Sequence, residues 1–258
     1  MSDPAPIVAL HGVGKAFANA VVALDGFDFA VRAGEFVSLL GPSGCGKSTA
    51  LRLIAGLAAP TRGAIAWREA DKANARALGF VFQEPTLMPW ASVFGNVHLP
   101  LKLKGRDRAA AAPTVMDALA GVGLADFAGA YPRELSGGMK MRVSIARALV
   151  TAPQLLLMDE PFAALDEITR FRLANDLLKL WQALGKTVVF VTHSVFESVF
   201  LSNRIVVMTP RPGRVFAEIA IDAPYPRDES FRTSPEYAAF CRQVSAALAD
   251  AMAAGGAP

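Results

Sequence analysis

A glycine-rich loop between an apolar run and a helical pattern constrains the fold of this chain more than any other segment. The sequence GPSGCGKST at residues 41–49 fits the pattern G-x-x-x-x-G-K-S/T, follows the apolar run 36–40 and opens the helical pattern 47–56. Its glycines let successive backbone N–H groups point at one anion, and the helix N-terminus adds positive charge. A chance match in a glycine-rich turn is the alternative, which the strand, loop and helix order disfavours.

The loop therefore predicts a phosphate-binding site for a nucleotide. Lys47 would reach the β- and γ-phosphates, and the hydroxyl of Ser48 would bind Mg²⁺. By itself the loop fits a kinase or a GTPase equally well. The nucleotide-binding residues expected here are Gly41, Pro42, Ser43, Gly44, Cys45, Gly46, Lys47, Ser48 and Thr49.

Two carboxylates follow a second apolar run. Asp159 and Glu160 come directly after residues 155–158, and the carboxyl end of a sheet strand is where ligands bind in open α/β folds. Asp159 would hold Mg²⁺, directly or through water, and Glu160 would polarise the attacking water as a general base. The alternative is an exposed acidic pair that caps the next helix.

The remaining pattern predicts an α/β fold with a mainly parallel sheet covered by helices. Strand-like runs at 155–158, 187–192 and 204–208 alternate with helical patterns. A proline-punctuated stretch followed by an alanine-rich helical segment at 106–120 indicates an inserted helical subdomain. We expect a single domain, 1–258, with a core of 1–82 and 151–220, a helical subdomain of 83–150 and a helical tail of 221–258, whose helical pattern covers 234–252.

Composition excludes several classes of protein. Although 53% of the residues are hydrophobic, every apolar run is shorter than the about 18 residues of a membrane span, so the apolar surface is expected to meet a partner. The N-terminus has no secretion signal, which predicts a cytosolic protein. A net charge of +3 is too small for a nucleic-acid partner. We expect Cys45 and Cys241 to be reduced thiols. We expect His11 and His98 to be packed or solvated residues without a functional role.

The segment LSGGMKMR at 135–142 resembles the signature motif that separates ABC ATPases from other phosphate-loop proteins. Three further segments, in family order, extend the resemblance over nearly the whole chain. They are Gln83 in VFQEP, similar to the Q-loop, Asp166 in PFAALD, similar to the D-loop, and His193 in VTHS, similar to the switch histidine. The resemblance implies an ATP-hydrolysing P-loop NTPase core with a small antiparallel β portion, and ATP and Mg²⁺ as cofactors.

The resemblance also implies a paired site. Ser136, Gly137 and Gly138 would form a second anion cradle at the start of the helical pattern 139–150, closing over ATP bound to the other subunit of a homodimer or of a paired ATPase. The alternative for these glycines is an ordinary glycine-rich helix start. Met139 stands where the family most often has glutamine, which puts a sensing role of that side chain in doubt.

Four single residues complete the site that the resemblance implies. Gln83 would bind Mg²⁺ and the γ-phosphate, His193 would hydrogen-bond the γ-phosphate and the attacking water, and Asp166 would contribute to nucleotide binding. Phe17 is similar to the aromatic residue that stacks on adenine, with an ordinary core aromatic as the alternative. Glu160, His193 and Gln83 are thus the expected catalytic residues.

With no membrane span of its own, a transporter ATPase must dock on separate permease subunits at the cytoplasmic side of the inner membrane, as a peripheral protein. Leu87, Met88 and Trp90 in EPTLMPW would form an apolar groove for a permease helix, unless they pack the helical subdomain. An extracytoplasmic solute-binding protein would be an indirect partner. Several segments are similar to importer ATPases for nitrate, sulfonates, taurine and pyrimidine- or riboflavin-type solutes.

The expected function is therefore to power a small-solute importer. The main alternative is a soluble ABC ATPase that acts outside transport. A third interpretation, a regulator that binds ATP without hydrolysing it, is disfavoured by Glu160 and His193.

Overall fold

The computed structural model describes residues 6–68 and 78–255, which form two compact units. The predicted segments 1–82 and 221–258 thus include residues 1–5, 69–77 and 256–258, which lie outside the described part. Residues 6–68 and 187–255 make the first unit, and residues 78–186 make the second.

The first unit contains seven strands and four helices among its described residues. They are β1 (Val8–Ala16), β2 (Val22–Val31), β3 (Phe36–Leu40), α1 (Lys47–Ile54), β4 (Arg62–Trp67), and later in the chain β7 (Thr187–Thr192), α6 (Val195–Leu201), β8 (Arg204–Met208), β9 (Val215–Ala220), α7 (Glu229–Arg232) and α8 (Pro235–Gly255). The second unit contains β5 (Leu78–Val81), α2 (Val93–Leu103), α3 (Arg108–Gly121), α4 (Gly137–Leu149), β6 (Leu155–Asp159) and α5 (Glu167–Leu184), with 3₁₀ turns at Ala125–Phe127 and Pro132–Glu134.

Two sheets organise the first unit. Strand β3 lies between β7 and β8 and is parallel to both, while β9 pairs with β8 in the antiparallel sense. Every residue of β3, β7 and β8 is buried, which explains why their sequences are mostly apolar rather than alternating. The other sheet is antiparallel, in the order β2-β1-β4. The predicted α/β class, with a mainly parallel sheet and a small antiparallel portion, is confirmed.

The second unit combines the parallel pair β5 and β6 with α2, α3, α4 and α5. The helices α2, α3 and α4 fall in the segment 83–150 that the sequence predicts to be a helical subdomain; the boundaries of that subdomain stay a prediction. The helix predicted over 106–120 begins at Arg108, because the carboxylate of Asp107 accepts the N–H of Ala110 at 2.8 Å and caps the helix.

Local chemistry also sets the other helix ends. Helix α4 begins two residues earlier than predicted, since Ser136 is its cap. Helix α1 ends at Ile54, and Gly56 then turns the chain with a φ of +69°. Helix α8 begins at Pro235, a residue that suits the first helical position because it has no N–H to satisfy.

Across the described parts of both units, no helix is both long enough and apolar enough to cross a membrane.

Candidate functional site

The phosphate loop lies between β3 and α1 and depends on two glycines in the left-handed region. Gly44 has a φ of +78° and Gly46 a φ of +108°, conformations that side chains disfavour. A Cβ on Gly46 would also lie 2.7 Å from the carbonyl oxygen of Ala23. The loop therefore takes the turned shape that its sequence predicts, with Lys47 as the first residue of α1.

Lys47 is 4% exposed and lies inside the curve of the loop. Its Nζ donates to the carbonyl oxygens of Gly41 at 2.7 Å and Pro42 at 2.9 Å. Ser48 and Thr49 are half-buried in the first turn of α1. A buried ammonium group next to a helix N-terminus gives this loop the positive charge that a phosphate requires.

His193 emerges from the same sheet edge as the phosphate loop. Leu40 and Thr192, the last residues of β3 and β7, are paired in the parallel register. Gly41 and the exposed His193 follow these two residues directly. The structure therefore brings the predicted phosphate loop and the predicted switch histidine to one edge of the first unit.

Three side chains that the sequence analysis missed fix the turn at His193. The hydroxyl of Thr192 accepts the N–H of Ser194 at 3.0 Å and donates to Glu197 at 2.5 Å. The hydroxyl of Ser194 accepts the N–H of Glu197 at 3.3 Å and caps α6. The sequence signal was present, since S-x-x-E at 194–197 is the capping-box pattern.

Phe17 follows β1 and is 44% exposed, so the alternative of a core aromatic is wrong. Its N–H donates to the carbonyl of Val21 at 2.9 Å across a tight turn. The Nζ of Lys15 lies 5.5 Å from the centroid of the ring. Stacking of Phe17 on adenine stays a prediction.

In the second unit, Asp159 and Glu160 stand at the end of β6. Asp159 is the last strand residue and is 8% exposed. Glu160 is half-buried and has a φ of +44°, a strained value for a residue with a side chain. Neither residue caps the next helix, because Asp166 caps α5. The alternative of an exposed capping pair is therefore wrong.

Gln83 lies at the same edge of the second unit as these carboxylates. Val81 of β5 pairs with Met158 of β6 in the parallel register. Two residues later, Gln83 is exposed. The structure thus brings the chain segments that carry Gln83, Asp159 and Glu160 to one edge of the second unit.

Asp166 has a structural task that the sequence analysis did not identify. Its carboxylate accepts the N–H of Thr169 at 2.9 Å and caps α5. The hydrogen bonds from Thr169 lower the pKa of the Asp166 carboxyl, which keeps the cap ionised. A contact between Asp166 and nucleotide stays a prediction.

The signature segment forms the first turn of α4. Ser136 is exposed, and its hydroxyl accepts the N–H of Met139 at 3.3 Å. Gly137 is exposed and Gly138 is buried. A Cβ on Gly138 would lie 2.7 Å from Cγ2 of Thr169, so this glycine also permits close packing of α4 on α5. The segment therefore begins a helix, which was the alternative interpretation of its glycines. Ser136 and Gly137 nevertheless remain accessible to an anion.

The segment after Gln83 is held by two residues that the sequence analysis missed. Arg147, on α4, donates to the carbonyl oxygens of Thr86 at 2.8 Å and Pro85 at 2.7 Å. Burial lowers the pKa of the Arg147 guanidinium, while the carbonyl acceptors stabilise its charged form. Asn96 accepts the N–H of Met88 at 2.7 Å and donates to its carbonyl at 3.2 Å. The contact of Asn96 could have been suspected from the sequence, because an asparagine within the apolar pattern of α2 needs hydrogen-bond partners.

The predicted docking residues differ in exposure. Trp90 is 77% exposed, whereas Leu87 and Met88 are half-buried. The apolar groove itself stays a prediction, because only Trp90 stands clear of the surface.

Each unit offers an oxygen donor of the kind that Mg²⁺ prefers. In the first unit Ser48 offers a hydroxyl on the first turn of α1, and in the second unit Asp159 offers a nearly buried carboxylate at a strand end. Mg²⁺ prefers such hard oxygen ligands and is usually held by one or two side chains together with substrate phosphates.

The chain is similar in sequence to ATP-binding proteins of known families. A family profile described as ABC transporter matches residues 24–163. The taurine import ATP-binding protein of Rhizobium johnstonii is 44% identical over 239 residues, 90% of this chain and 91% of that protein. The aliphatic sulfonates import ATP-binding protein of Bacillus cereus is 41% identical over 233 residues, 89% of this chain and 92% of that protein.

The chain is also similar in fold to solved structures of ATP-binding cassettes. The dimeric structure of a bacterial ABC transporter cassette has a TM-score of 0.72 and 34% identity, over 84% of this chain and 100% of that chain. A structure of the same cassette in a post-hydrolysis state, bound to ADP and Pi, matches equally well. Family match, sequence identity and fold coincide over most of the chain, which therefore belongs to the ABC transporter family as an ATP-hydrolysing subunit that uses ATP and Mg²⁺.

Proposed function

We propose that this chain powers the import of a small solute through separate permease subunits in the membrane. The relatives named for taurine and sulfonate import support this function, because they align with about nine tenths of the chain. The observation that carries the proposal is the exposed Trp90, in a segment that Arg147 holds to the signature helix α4. The solute would be a small molecule of the nitrate, sulfonate, taurine or pyrimidine type.

The first unit would bind the phosphates. The loop N–H groups and Lys47 would hold the β- and γ-phosphates, with Ser48 as a ligand of Mg²⁺. His193 would hydrogen-bond the γ-phosphate, and Phe17 would stack on adenine. Mg²⁺, when bound, supplies charge that stabilises the phosphate oxygens.

The second unit would provide hydrolysis and pairing. Asp159 would bind Mg²⁺, Glu160 would orient and deprotonate the attacking water, and Gln83 would contact Mg²⁺ and the γ-phosphate. Ser136 and Gly137 would bind the γ-phosphate of ATP on the partner subunit. Accordingly, the working form would be a homodimer or a pair with a related ATPase.

Such a pair would dock at the cytoplasmic face of the membrane as a peripheral protein. The permease would contact Trp90 directly, and an extracytoplasmic solute-binding protein would act on the far side without touching this chain. A soluble ABC ATPase outside transport would need neither partner, so association with a permease separates the two functions.

Copurification tests the proposal. We expect the chain to copurify from detergent-solubilised membranes with the permease encoded beside it, and Trp90→Ala to weaken that association at least about tenfold, as for a central aromatic in an interface. Leu103→Ala is the matched control, because Leu103 is an equally exposed apolar residue, at 79%, at the end of α2.

Both variants should retain the ATPase activity of the isolated chain. Full recovery of the wild-type chain in the soluble fraction, with the permease solubilised and captured alone, contradicts the transport function and favours the soluble alternative.

A further inference from the structure

The turn between β8 and β9 contacts the phosphate loop at Gly44 and Cys45. This turn has the sequence TPRPGR at residues 209–214 and belongs to the first unit, like the phosphate loop. Its own hydrogen bonds hold it closed, since the hydroxyl of Thr209 accepts the N–H of Arg214 at 3.0 Å and the N–H of Thr209 donates to the carbonyl of Arg214 at 3.0 Å. We call residues 209–214 the supporting turn.

Gly213 brings the supporting turn against the loop. It is buried, and a Cβ at this position would overlap the carbonyl oxygen of Cys45. Its N–H donates to the carbonyl of Ala23 at 2.9 Å, and its carbonyl accepts the N–H of Asp25 at 3.2 Å. The backbone of the turn is therefore packed between strand β2 and the phosphate loop.

Arg211 makes the side-chain contact. Its Nε donates to the carbonyl oxygen of Gly44 at 3.0 Å. Gly44 is exposed and has a φ of +78°, a conformation that glycine adopts at little cost. The peptide group that joins Gly44 to Cys45 is held on one side by the N–H of Cys45, which donates to the carbonyl of Pro42 at 3.3 Å, and on the other side by Arg211. A peptide group can point its N–H at an anion only while its own carbonyl oxygen points away from that anion. The Arg211 donor fixes the orientation of the Gly44 carbonyl and of the peptide group to which it belongs.

We propose that Arg211 is a positioning residue for ATP binding, which keeps the phosphate loop in its binding conformation by holding the Gly44 carbonyl. This inference rests on the assignment of residues 41–49 as the phosphate loop. Arg211 acts before the nucleotide arrives, because a loop that is already ordered loses less conformational entropy on binding. Its loss weakens ground-state and transition-state binding alike, which raises KM for ATP and leaves kcat nearly unchanged.

Three substitutions separate this role from a direct attraction between Arg211 and the triphosphate. Nε2 of glutamine is the same number of bonds from the backbone as Nε of arginine, so Arg211→Gln keeps the donor and removes the charge. Arg211→Lys keeps the charge and has a methylene group at that position. Arg211→Ala removes both.

The experiment measures equilibrium ATP binding and steady-state hydrolysis by the full chain. We expect Arg211→Ala and Arg211→Lys to raise Kd and KM for ATP by roughly threefold to tenfold, the size of effect that loss of one ordinary hydrogen bond produces, with kcat within about twofold of wild type. Arg211→Gln should recover most of the affinity. Arg214→Ala is the matched control, since Arg214 is an arginine of the same turn that pairs with Asp25 instead.

The outcomes are distinct. Wild-type affinity in Arg211→Ala overturns the proposal, and so does recovery by lysine but not by glutamine, which would indicate direct attraction of the nucleotide by charge. An equal loss in Arg214→Ala also overturns it, because general loosening of the turn would then explain the effect. Lys47→Ala tests the underlying assignment separately: wild-type ATP binding in that variant contradicts the phosphate loop itself.

Discussion

Glu160 and its neighbour Asp159 show how one strand end supplies two different carboxylates. Asp159 is the last residue of a buried strand and is 8% exposed, whereas Glu160 is half-buried and has a φ of +44°. A residue with a side chain occupies that conformation at a cost that the surrounding structure must offset, and such residues cluster at functional sites. The two carboxylates of this strand end therefore differ in exposure, and only the second belongs to a residue with a strained backbone conformation.

We predict that Glu160→Gln binds ATP but hydrolyses it at least about 100-fold more slowly, because an amide cannot accept the proton of the attacking water. The nucleotide-bound dimer should therefore accumulate, which size-exclusion chromatography with ATP will detect. Glu167→Gln is the control, since Glu167 is an exposed acid in the first turn of α5. Hydrolysis at the wild-type rate in Glu160→Gln would remove Glu160 from its proposed role.

At the scale of elements, buried strands were predictable and helix ends were not. The runs 187–192 and 204–208 became β7 and β8 without change, because a parallel strand buried on both faces has a nearly continuous apolar sequence. The start of α4 shifted to Gly137, since the Ser136 side chain decides where that helix begins. The hydrophobic pattern of a helix does not show where its cap lies. The capping residue has to be identified from its own side-chain type.

Contacts between distant segments lay beyond the sequence analysis for another reason. Arg147 and Thr86 are far apart in the chain, as are Arg211 and Gly44, and nothing in the local sequence of either arginine specifies its acceptor. Both arginines donate to backbone carbonyl oxygens, which every residue has. The phosphate loop could therefore be predicted from its own sequence. The residues that support its shape could be identified only once the fold was known.

We predict that Arg147→Met loosens the segment 84–90 while ATP affinity stays within about twofold of wild type. Methionine keeps most of the buried side-chain stem but loses the donors to Pro85 and Thr86, and hydrogen bonds from a charged donor contribute about 1.5–3 kcal/mol. Hydrogen exchange of peptides covering 84–90 should accelerate roughly tenfold or more.

The control is Arg142→Met, because Arg142 lies on the same helix and pairs with Asp176 at 2.6 Å instead. Unchanged exchange of 84–90 in Arg147→Met contradicts the supporting role of this arginine. Acceleration in both variants would point to general destabilisation of α4 rather than to loss of a specific contact.

The whole molecule has two helix starts that we propose bind anions. Helix α1 follows the phosphate loop in the first unit, and α4 follows Ser136 in the second. ATP has one γ-phosphate, and the related cassette of known structure is dimeric. Two copies related by a two-fold axis would use both helix starts of each chain, each copy supplying α1 to one nucleotide and α4 to the other.

A mixing experiment tests this pairing. Lys47→Ala and Ser136→Arg should each be inactive alone, because every dimer of one variant has both sites damaged. In a mixed dimer both substitutions fall in one site and leave the other intact. With equal amounts and random pairing, half of the dimers are mixed, so we expect about a quarter of wild-type activity if the two sites act independently.

Lys47→Ala mixed with Ser48→Ala is the control, since both substitutions damage the phosphate loop and every site in the mixture then carries one of them. Differently tagged chains, captured in sequence, measure how much mixed dimer forms. Because recovery requires an undamaged phosphate loop on one chain and an undamaged Ser136 on the other, it should rise with the fraction of mixed dimer and be absent from the control. Mixed dimers of Lys47→Ala and Ser136→Arg that stay inactive would show that each chain completes its own site, or that both sites must be intact for any turnover, and would contradict independent shared sites.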